Sequence, residues 1–443
     1  MGAKQSATIK AKPGAARHNF LMAQGPYLIF DKSSLESLNF DEAVMLDNFY
    51  STVITPIFFV ECLADLEKDI RSNSTPEQLV GSLADRTPEY GCSVTLNHLE
   101  VLRSELIGKF NLISLRGGPF VAGGRPVQLG DGKGILFQQT KEQEAMQRWT
   151  AREFIEAERG IAKLWRRSLT TIDFDAMVKA VMAELGPHWR KPKTLKDARE
   201  MADVIIDHMD PQWLLGFGID MLGVPEVKEQ AVTDWIARRR PALREHFPYF
   251  IFMLSIKIFF CLVLPTQLLR NVKPSHHIDL AYLYYLPFCS VFTSKDNFHV
   301  QIAPLFLNEN QTFVNGIELK DDLKTLDERY SALDESKLKQ GLTHFARYPP
   351  DDTSFLTTRL WDQHAPKWRS ATPPPRVPEP LQRAIMEVVN KLSKSSEVQP
   401  HDIRSIDQLG YVSMEHKIHL PRGKWRRYSE EMEQRIIAGE NAE

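Results

Sequence analysis

Four carboxylates in this chain sit at the edges of apolar runs, where an acid is costly unless something meets it. Asp31 ends LIFD, Glu61 interrupts IFFVECL, and Asp279 and Asp296 bracket IDLAYLYYLPFCSVFTSKD. Each has a local alternative. Asp31 could cap the helix that follows it, Asp279 could be a first-turn acid favoured by the helix dipole, and the turn SKDN accounts for Asp296. Glu61 is harder to dismiss, because it must then lie at the edge of a buried face. If the four converge, like charges in a low dielectric repel strongly and require a cation. Hard oxygen ligands in a partly hydrated cluster suit Mg²⁺ or Mn²⁺ rather than zinc. Such an ion can activate water for attack on a phosphodiester, with no Ser, Cys or His nucleophile.

The elements that must position these acids follow from local pattern. PYLIF (26–30) reads as a short buried strand ending at Asp31, and DKSSLESLNFDEAVMLDNFY as helical turns. STVIT (51–55) is a β-branched strand, after which Thr55 can cap a helix with Pro56 at its first position. Strand, helix, strand, helix is the grammar of a parallel α/β sheet, and such sheets place sites outside the carboxyl ends of their strands. SHHIDLAYLYYLPF predicts a helix with Ser275 as candidate cap, and CSVFT (289–293) a buried strand. Asp31 and Asp296 then follow strands, Glu61 and Asp279 lie on neighbouring helices, and Asp65 shares the face of Glu61 one turn on.

In this order and context, LIFDKSSLESL, ITPIFFVECLADL, IDLAYLYYLPFC and VFTSKDNFH resemble the four acidic motifs of PIN-like nuclease domains. Ser33, two residues after the first acid, and Ser294, two before the last, match small hydroxyl positions of that family. The resemblance implies a three-layer α/β/α fold with a central, mainly parallel sheet. It also implies a metal-dependent ribonuclease, a hydrolase that uses Mg²⁺ or Mn²⁺ and takes RNA before single-stranded DNA. Asp31, Glu61, Asp279 and Asp296 would be the catalytic metal ligands and Asp65 an auxiliary one, with Ser33, Ser294 and Lys295 meeting the substrate. The resemblance covers only about residues 25–70 and 271–318. It leaves a flexible tail at 1–24, a mainly helical insertion at 71–270 whose end could join the core, and a C-terminal extension at 319–443. PIN domains are commonly compact, so this long insertion is a departure. An inactive PIN-like nucleic-acid-binding or scaffold protein is the alternative. A HAD-type phosphatase is disfavoured because Ser33 stands where its second Asp is needed.

Composition bounds the partners. The 443 residues exceed one ordinary core, and a net charge of -2 gives no global attraction to nucleic acid or membrane. Local patches of Arg with Trp or Tyr occur in KLWRRS, HWRKPK, WIARRRPALR and GKWRRY; they suit phosphates and unpaired bases, or equally a helix surface with Trp inside. The four scattered cysteines suit a reducing cytoplasm. FPYFIFMLSIKIFFCLVLP approaches a membrane span, but Lys257 lies at its centre, which favours a buried element. The N-terminal Gly2 and Ser6 fit a myristoylation pattern, read here as a chance match on a basic tail. RGGPFVAGGRPVQLGDGKGILFQQ (116–139) predicts a hairpin or an irregular excursion, and its GGRPVQLGDGKG fails the phosphate-loop spacing. Asp203 and Asp207 read as a solvated helix face, and His276 and His277 as surface or cap residues that could reach a phosphate. Protein partners and oligomeric state do not follow from the sequence.

Overall fold

The computed structural model describes residues 4–10, 25–69, 75–89, 93–108, 124–129, 132–137, 141–153, isolated positions from 157 to 186, then 190–269, 276–370, 411–417 and 422–437. Its centre is an α/β arrangement on a parallel sheet. The strands are β1 (Tyr27–Phe30), β2 (Ser51–Ile54), β3 (Ser93–Val94), β4 (Val291–Ser294) and β5 (Thr312–Asn315). Their spatial order is β3-β2-β1-β4-β5, with every pair parallel. The chain walks from β1 to one edge and then returns to β1's other side, so the switch point of the sheet lies between β1 and β4.

The sequence explains why these short runs become strands. Leu28, Ile29 and Phe30 are buried in succession, as are Val291 and Phe292; unbroken apolar runs fit parallel strands covered on both faces. Register is fixed by Leu28 opposite Val291 and Phe30 opposite Thr293. The helices that matter here are α1 (Lys32–Ser37), α2 (Phe40–Phe49), α3 (Pro56–Asp69), α4 (His98–Leu106), α5 (Pro248–Val263), α6 (His276–Leu283), α7 (Asn297–Ile302) and α8 (Gly316–Ser331). Asn39 and Glu42 form a capping box at the start of α2, and two acids in its first turn favour the same end.

The long apolar segment is α5, buried almost throughout. A helix that is apolar all round belongs in a core or a membrane; among the described residues no helix is long and apolar enough to cross a membrane. Glu105 of α4 accepts hydrogen bonds from the Tyr249 and Phe250 amides at 3.0 and 2.7 Å, satisfying the first turn of α5 from outside. Phe260 packs edge-on to Phe298 and Phe259 to Phe306, so the end of the 71–270 segment joins the core.

The C-terminal part is tied to the same core. Helix α8 packs on α2, Trp361 Nε1 donates to the Phe49 carbonyl at 2.8 Å, and Asn48 Nδ2 donates to the Ala346 carbonyl at 2.7 Å. Arg422 reaches Asp47 at 2.8 Å in a nearly buried ion pair and also donates to the Asp85 and Thr87 carbonyls. A second sheet orders Lys4–Lys10, Tyr411–Lys417, Gly132–Phe137 and Gly124–Leu129. The expected hairpin is present as the antiparallel last pair. Lys4–Lys10, within the segment expected to be a flexible tail, is instead a strand paired with Tyr411–Lys417; a partner some four hundred residues away leaves no local mark. Thr55 is a correction. Its hydroxyl is buried without a hydrogen-bond partner, so the expected cap of α3 is not made. Ser275, the candidate cap of α6, lies outside the described residues.

Candidate active site

Asp31 leaves the carboxyl end of β1 and is buried beside the switch point. Its Oδ1 accepts the Ser34 amide at 2.9 Å, making it the N-cap of α1. Its Oδ2 accepts the Ser33 hydroxyl at 2.9 Å and the Ser294 hydroxyl at 2.6 Å, and it lies 3.3 Å from His299 Nδ1. Burial works against ionisation here. The hydrogen bond and charge of His299, with the bonds from Ser294 and Ser34, outweigh it and hold this carboxyl below its ordinary range.

Glu61 projects from α3 and accepts the Tyr282 hydroxyl of α6 at 2.7 Å. Burial first, then the charges of Asp31 and Asp279, push its carboxyl up to about 8, although Tyr282 and Lys32 act in the opposite direction. Glu61 thus feels the charges of both Asp31 and Asp279. Asp279 is half-buried in the first turn of α6, and its carbonyl lies 2.8 Å from His299 Nε2. Asp296 follows β4 and is linked to Asp31 through one hydroxyl: its amide donates to Ser294 Oγ at 3.0 Å. Its own carboxylate accepts the Phe298 amide at 2.7 Å and caps α7. The cap and turn explanations for Asp31 and Asp296 thus hold alongside their place at the sheet edge.

Other expected residues divide. Ser33 bonds to Asp31 and is half-buried, while Lys295 is exposed at the end of β4. Ser294 is fully buried and spends its proton on Asp31; it supports the acid and does not face a substrate, a correction to the expected contact. Gly316 allows α8 to start close by, since a Cβ there would lie 2.8 Å from Ser34 Oγ. Asp65 lies on α3, with its side chain outside the described set. His276 stacks on Phe298 at 5.2 Å. Burial lowers His277 to about 4, and its Nδ1 has no hydrogen-bond partner. Asp203 and Asp207 both pair with Arg244, as expected for a helix face.

His299 is the residue that the motif reading missed. It lies three positions after Asp296, is wholly buried, and touches the Asp31, Ser294 and Asp279 segments. Burial disfavours its charged form, but Asp31 and Asp279 overcome this and lift it to about 9. The available signal was only a histidine three residues after the last acid, which a local reading cannot tell from a solvated side chain.

The donor set is right in kind for a hard divalent ion, because Glu61 is held where its charge is opposed by two other carboxylates. It is not closed into a coordination sphere: among the described residues, no three His, Cys, Asp or Glu side chains stand so as to share an ion. The basic patches are mostly committed elsewhere. KLWRRS lies outside the described residues apart from Leu164, Arg190 pairs with Asp197, and Lys424 and Arg426 pair with Asp327 and Glu433. In WIARRRPALR, Trp235 is buried and bonds the Pro241 carbonyl at 2.8 Å. Arg238, Arg239 and Arg240 are exposed, with no ion-pair partner among the described residues. The last two have φ of 67° and 54°, a conformation that costs about 1–2 kcal/mol for a non-glycine residue. Comparison of the chain with protein-family models, curated proteins and solved structures returns no match.

Proposed function

We propose that this chain is a PIN-like α/β/α protein and a metal-dependent nuclease that hydrolyses phosphodiester bonds in nucleic acid, RNA before single-stranded DNA. The observation that carries this reading is geometric: Asp31 at the carboxyl end of β1 lies beside the sheet's switch point, with α3 and α6, which carry Glu61 and Asp279, tied there through Tyr282 and His299. Burial first, and then the charges of Asp31 and Asp279, raise the Glu61 carboxyl. Open α/β sheets bind ligands at that place, and acids kept there against their own repulsion mark a site more readily than a stabilising cluster. Asp31, Glu61 and Asp279, with Asp296 and Asp65 as further candidate donors, would have to draw closer together to share Mg²⁺ or Mn²⁺, which would supply an activated water and a polarised phosphate.

The chain's own groups have separate tasks in this reading. Ser33 and Ser294 fix the rotamer of Asp31 through its Oδ2. Tyr282 orients Glu61 and carries a proton at its hydroxyl. Lys295, exposed beside the rim, meets substrate phosphate, and Arg238–Arg240 offers three exposed cations, with no ion-pair partner among the described residues, for a phosphate backbone. A reducing, cytoplasmic setting fits the buried cysteines Cys62, Cys261 and Cys289, which form no disulfide among the described residues.

A second reading, an inactive PIN-like nucleic-acid-binding or scaffold protein, is favoured by one observation: Asp31 Oδ2 already has two hydroxyl donors and His299 beside it. Purified protein should cleave single-stranded RNA only with Mg²⁺ or Mn²⁺, and Asp31→Asn or Asp296→Asn should abolish cleavage while keeping the native melting profile. Cleavage that persists in chelator, or in either folded variant, refutes the nuclease assignment. RNA binding with no cleavage and no Mn²⁺ uptake selects the second reading.

A further inference from the structure

We infer that His299 is a positioning residue, a two-ended hydrogen-bond donor that clasps the first, third and fourth acid motifs together. This rests on the nuclease reading for its functional consequence, though its geometry stands independently. Nε2 lies 2.8 Å from the Asp279 carbonyl. A carbonyl only accepts, so Nε2 carries a proton. At the other end, Nδ1 is 2.9 Å from Ser294 Oγ and 3.3 Å from Asp31 Oδ2. The single proton of Ser294 is directed to Asp31 at 2.6 Å, so Ser294 presents a lone pair to the ring, and the Asp31 carboxylate is also an acceptor. Nδ1 therefore donates as well.

The ring is fully buried, with Tyr282, Phe292 and Phe298 set against it near right angles at 5.7, 5.3 and 5.8 Å between centroids. That enclosure prevents the imidazole from turning to solvent or exchanging its two ends. A carboxylate on β1, a carbonyl in the first turn of α6 and a hydroxyl at the end of β4 are thereby held to one rigid group. No covalent path shorter than two hundred residues joins Asp31 to Asp279, so their spacing is fixed by tertiary contacts, of which this ring is the one that touches both segments, beside the β1–β4 pairing and the Tyr282–Glu61 bond. Ligating acids depend on such outer partners for orientation, and losing one typically lowers metal affinity by about 10–100-fold.

Two measurements on the full-length protein test the clasp. Proton NMR of metal-free protein with ¹⁵N-labelled histidine should show two slowly exchanging ring N–H signals for His299, assigned by their loss in His299→Asn; one signal or none overturns the inference. Mn²⁺ titration followed by electron paramagnetic resonance should then show about 10–100-fold weaker binding in His299→Leu. His299→Asn keeps a donor toward Ser294 and Asp31, and His299→Gln one toward the Asp279 carbonyl, so each should recover part of that affinity. Wild-type affinity in a folded His299→Leu, or equal losses in all three variants, refutes the positioning role. If His299→Leu does not fold, the two amide variants carry the comparison. Wild-type protein that takes up no Mn²⁺ defeats the nuclease reading instead, and the N–H signals still decide the clasp.

Discussion

Replacing Glu61 by Gln should stabilise the metal-free protein, and only above a definite pH. In the unfolded chain Glu61 ionises near 4.5, whereas the folded protein keeps its proton up to about 8. Folding therefore takes up a proton between those values, and wild-type stability falls as pH rises through the window. Glutamine resembles the protonated acid, can still accept the Tyr282 hydroxyl, and has no proton to lose. The full displacement corresponds to about 5 kcal/mol well above pH 8. Glu61 is partly exposed, and screening reduces the expected gain to about 1–3 kcal/mol. Denaturant unfolding in chelator should give equal stabilities for the two proteins at pH 4, a difference that grows from about pH 4.5 and a plateau above pH 8. Added Mn²⁺ should then stabilise wild type more than the variant, through binding to the native state alone. A gain of the same size at pH 4 and pH 9, or destabilisation at every pH, would show that neither burial nor the charges of Asp31 and Asp279 raise Glu61, and would refute the electrostatics of the site.

Two further outcomes test how the rest of the chain is joined to this core. Arg422→Ala removes one ion-pair partner of buried Asp47, which still accepts the Glu89 amide, and the donors to the Asp85 and Thr87 carbonyls; breaking such a pair should cost up to about 3–5 kcal/mol in denaturant unfolding, and a loss below about 1 kcal/mol would show that the C-terminal segment is not docked in solution. Glu105, buried under the first turn of α5, is pushed up to about 7 by its burial, against the two amide hydrogen bonds. Wild-type stability should therefore decline as pH rises from about 4.5 to 7, and Glu105→Gln should remove that part of the slope, about 3 kcal/mol at most. An unchanged pH profile in the variant counts against it.

The strands and helices nearest the acids were readable because their signals are local. An apolar run ending in Asp31, a β-branched run at Ser51–Ile54 and a proline opening α3 each fix an element within a few residues. The same holds for the long apolar segment, where Lys257 argued against a membrane span and the chain forms the buried helix α5. Local pattern failed where the partner is distant. Nothing around Thr55 reveals that its hydroxyl is enclosed without a partner, and nothing around Glu105 reveals that it caps a helix begun at Pro248. The strand at Lys4–Lys10 likewise depends on Tyr411–Lys417.

The candidate site shows the same division. Residue type and context put Asp31 and Asp296 after strands and Glu61 and Asp279 on the neighbouring helices, because an acid beside an apolar run is costly unless it lies at its rim. Which of them meet was decided by the order β3-β2-β1-β4-β5, which sets β1 against β4 although some 260 residues separate them. The charge states were decided there too. Asp31 stays ionised because His299 folds back onto it, while Glu61, with a tyrosine as its hydrogen-bond donor, is driven toward its protonated form. A sequence names the acids, but the field each one feels is a sum over neighbours that only the folded chain brings within reach.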